Sequence, residues 1–85
     1  MTMEFEIRKK YYAVSEMDLD IPQIFSKMHE HISSAIDEAL EKTKEYLKSH
    51  GYEGKFQTNV NVFVKEEEEE APRLIQTVKI KITVK

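Results

Sequence analysis

Residues 20–51 read DIPQIFSKMHEHISSAIDEALEKTKEYLKSHG, and the fold turns on this stretch. Ile21, Ile24, Phe25, Met28, Ile32, Ala35, Ile36, Ala39, Leu40, Thr43, Tyr46, Leu47 and His50 recur at steps of three and four. That spacing puts them on one stripe of an α-helix. Both ends carry helix punctuation. Asp20 suits the N-cap, Gln23 the capping-box position three residues on, and Pro22 the first turn, where its missing N–H costs nothing. Gly51 suits the left-handed site after the helix, with Tyr52 placed to fold back onto Leu47. The spacing predicts one helix of about 30 residues, roughly 45 Å long.

The flanking segments alternate as strands do. Residues 3–14 set Phe5, Ile7, Tyr11 and Ala13 against Glu4, Glu6, Arg8, Lys10 and Tyr12, a two-residue period. Lys9 breaks the pattern, as an inward charge guarding a sheet edge or as the sign of a bulge. Residues 55–65 set Phe56, Thr58, Val60, Val62 and Val64 against Gln57, Asn59, Asn61, Phe63 and Lys65. Residues 73–85 form the most apolar strand, with Leu74, Gln76, Val78, Ile80, Ile82 and Val84 on one face and Ile75, Thr77, Lys79, Lys81 and Thr83 on the other. Residues 66–72, EEEEEAP, join the last two strands as a charged loop.

The expected fold class is α+β: a single β-α-β-β domain over residues 1–85, with a three-stranded antiparallel sheet and one long helix packed on one face. A right-handed crossover through the helix makes strands one and two parallel. Placing the last strand between them makes every neighbouring pair antiparallel, in spatial order 1-3-2. The helix then outreaches a strand of about 35 Å, and the other face of the sheet is uncovered.

Composition narrows the function classes. The 85 residues allow one modest core. The chain has no cysteine, which removes thiolate catalysis and disulfides, and its net charge of −3 does not describe a general DNA binder. Charged residues reach 34%, mostly Glu and Lys, a bias also met in heat-adapted proteins. No apolar run is long enough to span a membrane, and residues 1–7 are too short and acidic for a signal peptide. A cytoplasmic protein with no membrane partner is the expectation.

The uncovered face is the informative surface. It is expected to carry Arg8, Lys10, Lys65, Arg73, Lys79, Lys81 and Lys85 against Glu4 and Glu6, with Asn59, Asn61, Tyr12 and Phe63 among them. Adjacent strands one and three would pair these glutamates with Lys79, Lys81 or Lys85. Tyr12, Phe63 and Ile75 form an expected apolar row, which points to self-association as a dimer or larger homo-oligomer. Strand two, with Asn59 and Asn61, is expected at an edge open to strand addition. The rival reading takes Arg8, Lys10, Tyr12, Asn59, Asn61, Phe63, Lys79 and Lys81 as a site for single-stranded nucleic acid, cations for phosphates and rings for bases.

No catalytic or metal residues are assigned, and an enzyme is not expected. His29 and His31 stand two apart, whereas a zinc-protease helix needs histidines four apart on one face. The glutamates of residues 66–70 lack the alternating oxygens and turn glycine of a calcium loop. His50 suits a helix C-terminus. The β-α-β-β order and small size resemble the dodecins, a resemblance that implies a shell-like oligomer holding a flavin between subunits. The tryptophan that stacks on flavin in that family has no counterpart in residues 52–57, so no cofactor is assigned.

Overall fold

The computed structural model describes residues 8–85. Five elements follow in order: β1 (Lys9–Glu16), β2 (Ile24–Phe25), α1 (Ile32–Ser49), β3 (Gly54–Glu66) and β4 (Arg73–Val84). The expected strand positions at Phe5 and Ile7, and at Glu4 and Glu6, lie outside the described residues. The α+β class and the all-antiparallel pairing hold. The sheet, however, has four strands in order β2-β1-β3-β4 rather than three in order 1-3-2.

One local misreading accounts for the difference. The helix begins at Ile32, twelve residues after Asp20, and its N-cap is His31 in extended conformation. The capping roles expected for Asp20, Pro22 and Gln23 are therefore not used. Residues 24–29 instead run back along the outer edge of β1. Ser26 N–H donates to the Ala13 carbonyl at 2.8 Å, and Tyr11 and His29 exchange backbone hydrogen bonds of 2.7 Å. The Ser26 hydroxyl takes the place of a ladder carbonyl, accepting from Ala13 N–H at 2.8 Å. Helical spacing in residues 21–28 yields to the demand of an edge strand for backbone partners.

This return has a topological consequence. It carries the chain back to the start of β1, so the helix runs along β1 and β3 comes back antiparallel beside it, with Lys9 opposite Glu66 and Glu16 opposite Asn59. The expected parallel crossover disappears. Strand β3 becomes interior, and β4, expected in the middle, becomes an edge.

From Ile32 onward the helix matches the reading. Ala35, Ala39, Thr43 and Leu47 are its buried residues. Ala35 and Ala39 have little side chain, so the helix sits close against Ala13 and Val60, with Tyr11, Ile36, Leu40 and Ile80 around them. A second cluster joins Leu47 to Ile82 and Val84, with Ile21, Tyr52 and Phe56 alongside. The end of the helix is the expected Schellman turn. Gly51 takes φ +81°, Tyr52 N–H donates to the Leu47 carbonyl at 2.9 Å, and Gly51 N–H to the Lys48 carbonyl at 3.2 Å.

The length mismatch is reversed. An 18-residue helix spans about 27 Å, whereas the 13 residues of β3 reach about 44 Å. The hairpin, not the helix, overhangs. Arg73 to Thr77 at the start of β4 are all exposed.

The β3–β4 register slips between Val62 and Phe63, so that Val62 faces Gln76 but Phe63 faces Leu74. Ile75 is thus the extra residue of a bulge. No such slip occurs at Lys9, which pairs in register with Glu66 and forms an ion pair with it at 3.3 Å. The bulge expected as one reading of Lys9 is thus not found, and the strand that carries Lys9 is not an edge but lies between β2 and β3.

Helix α1 is fastened to the returning segment by Lys42, whose Nζ donates to the Phe25 carbonyl at 3.3 Å, and by the Glu38 carboxylate. Glu38 Oε1 accepts from the Lys27 backbone N–H and lies 3.0 Å from His29 Nε2. The Lys27 N–H first, and His29 second, hold the Glu38 carboxyl below its ordinary value of 4.5. A depressed carboxylate stabilises the fold above its unfolded value and loses that contribution as pH falls through the folded one. Glu38→Gln should therefore be less stable than wild type at pH 7 and show a shallower loss of stability from pH 4.5 downward. Urea midpoints across that range test this, and identical pH profiles would refute it.

Candidate interaction surface

The face turned away from α1 is built by alternation along all four strands. Tyr12 of β1 and Phe63 of β3 are directly opposite in register, and their rings stack at 5.1 Å between centroids with planes 11° apart. Phe25 of β2 extends the row from the other side, 6.4 Å from Tyr12 and inclined by 26°. Leu74 of β4 continues it beyond Phe63. Phe25 and Leu74 are 51% and 56% exposed. Aromatic pairs at such separations contribute about 0.5–1.5 kcal/mol beyond their area. The result is an apolar row across the whole sheet.

Two of the expected contact residues, Tyr12 and Phe63, are thus brought together. The third, Ile75, is displaced: the bulge gives its place opposite Phe63 to Leu74, though Ile75 remains exposed at 42%. Phe25 was missed because its spacing assigned it to the helix stripe. Leu74 was missed because strict alternation put it on the helix side, and no turn residue marks the bulge.

The cations are less concentrated than strict alternation requires. The same bulge sets Arg73 opposite Val64, on the helix side, where it pairs with Glu66 at 3.6 Å and Glu69 at 3.1 Å. Arg8 precedes β1, and its carbonyl accepts from Glu67 N–H. Lys10 faces Lys65, whose ammonium turns to the carbonyls of Glu66 and Glu69. Lys79 faces Asn59 and Lys81 faces Gln57. Among the described residues β3 separates β1 from β4, and Glu4 and Glu6, the partners expected for the β4 lysines, lie outside them.

Asn59 and Asn61 are interior to the sheet, not on its margin. Asn61 accepts from the Thr77 hydroxyl at 2.9 Å. Beside them lies a shallow polar groove of about 560 Å³ lined by Glu16, Met17, Asp18, Gln57, Asn59 and Lys79.

The acidic hairpin turn is partly neutralised. Glu66 is held below its ordinary value, first by its hydrogen bond from Lys9. Among the described residues, no cluster of three potential metal ligands occurs, and no helix is long and apolar enough to cross a membrane. His29 is engaged with Glu38. His50 stacks on Tyr46 at 4.0 Å, with Nδ1 2.8 Å from the Tyr46 carbonyl.

The fold and this surface define a small α+β domain with one helix on one face of an antiparallel sheet. Compared with known proteins, the chain matches no family model, no curated protein and no solved structure. The likeness to dodecins is confined to element order, and β2 departs from it.

Proposed function

We propose that this chain is a non-enzymatic interaction module that associates with copies of itself through the uncovered part of its sheet. The observation that supports this is the row Phe25–Tyr12–Phe63–Leu74, which crosses a face without a helix and ends at the outermost strand. Single exposed hydrophobes are ordinary, but a contiguous row marks a contact surface. A domain of this size also gains stability from association. At micromolar concentration the wild type should be at least a dimer by light scattering. Phe63→Glu should shift it toward the 10.0 kDa monomer with its helical signal nearly intact, because a charge in a desolvated contact is costly. A wild type that is monomeric at high concentration refutes the reading.

A second reading, single-stranded nucleic-acid binding, draws support from three stacked rings lying on the face that carries Lys10, Lys79 and Lys81. It requires affinity that falls steeply with salt, since each neutralised phosphate releases counterion. Exchanging Lys79 and Lys81 for Gln should then weaken binding and flatten the salt slope. Phe63→Ala should cost about 1–3 kcal/mol where a base stacks. No binding of any single-stranded oligonucleotide at low salt removes this reading.

A further inference from the structure

The two margins of the sheet are treated differently. The chain closes the β1 margin itself, with β2 and with the backbone bonds of Ser26 and His29. Strand β4 is twelve residues long and ends the sheet on the other side. Among the described residues no strand pairs with its outer side. Every second residue there presents an N–H and a C=O whose natural complement is another strand.

Resting on the self-association reading, we infer a second contact, separate from the Phe25–Tyr12–Phe63–Leu74 face, in which β4 pairs edge to edge, antiparallel, with β4 of another copy, in the register that sets Val78 opposite the partner's Val78. A two-fold axis normal to the sheet relates such strands, so residues directly opposite share a face and the axis passes through one residue. The bulge at Ile75 leaves Ile75–Val84 as the regularly alternating part of β4, and four registers, centred on Val78 through Lys81, keep at least seven of its residues paired. Centres at Lys79 and Lys81 oppose a lysine to itself, and Ile80 opposes Lys79 to Lys81. Like charges directly opposite destabilise a sheet. Only Val78 avoids every such pair. It sets Lys79 beside the partner's Thr77, Ile80 beside the partner's Gln76, and Lys81 beside the partner's Ile75. The Lys79 residues of the two copies are then diagonal neighbours, exposed to solvent and screened by salt.

The ends of the strands agree with this register. It lays the hairpin turn, with Glu67, Glu68 and Glu70, alongside the end of the partner's sheet that carries Lys85 and Lys55. Lys44 and Lys48 border that end, together with Glu41 and Glu45. By symmetry the acidic turn meets the lysine-bearing end twice.

The chain has no cysteine, so single cysteines introduced in β4 report without interference. Nitroxide labels on Lys81→Cys and Thr83→Cys, both exposed positions, should give backbone separations of about 20 Å and 34 Å, since each step away from Val78 adds about 6.8 Å. Thr77→Lys, which opposes Lys79 across the seam, should raise the dissociation constant roughly two- to tenfold, and Thr77→Glu should lower it by a similar factor. A dimer without this distance step, or one indifferent to the sign of charge at position 77, overturns the edge pairing and leaves self-association standing. A monomer at every concentration overturns both.

Discussion

Replacing Leu47 with alanine is expected to destabilise the domain by about 2–5 kcal/mol, the range for a buried leucine whose cavity closes only in part. Leu47 is fully buried, and it is the side chain through which the last turn of α1 meets Ile82 and Val84. Tyr52 packs on the same cluster, placed there by the Schellman turn whose first acceptor is the Leu47 carbonyl. The substitution leaves that backbone bond in place, so the loss reports packing rather than capping. Domains are stable by about 5–15 kcal/mol in all, so this loss is a large share of the total. The urea midpoint should fall with an unchanged slope, the sign that stability alone has moved. A loss below about 1 kcal/mol would show that this end of the helix is not packed as described.

The second large effect belongs to a polar pair inside the core. Ser15 and Thr58 are 2% and 1% exposed, and their hydroxyls lie 2.6 Å apart. The Thr58 hydroxyl also reaches the Glu16 carbonyl at 3.2 Å. Thr58→Val keeps the shape of the side chain but leaves the Ser15 hydroxyl buried without its partner, at an expected cost of about 1–3 kcal/mol. Adding Ser15→Ala removes the stranded hydroxyl and should recover part of that loss, giving a non-additive cycle. Additive single effects would mean that the two hydroxyls do not share a hydrogen bond.

The residues that could be read correctly are those whose signal is local. The alternation of Thr58, Val60, Val62 and Val64 fixed β3, because a two-residue period admits one buried face. The run from Ala35 to Leu47 fixed the helix stripe, and Gly51 fixed its end, because φ +81° favours glycine. Tyr12 and Phe63 were legible as neighbours for the same reason.

Tertiary structure alone decided the rest. Residues 21–28 carry helical spacing, yet β1 needs a partner along its outer edge, and Ser26 and His29 supply it through backbone bonds that spacing does not encode. That choice reverses the chain once more, which makes β3 rather than β4 the neighbour of β1 and brings Phe25 onto the aromatic row. The bulge at Ile75 likewise has no sequence mark. It moves Leu74 to the uncovered face and Arg73 to the carboxylates of Glu66 and Glu69. Periodicity reports which side of an element is apolar. Which strand lies beside which is set by the backbone groups that must be satisfied once the elements meet.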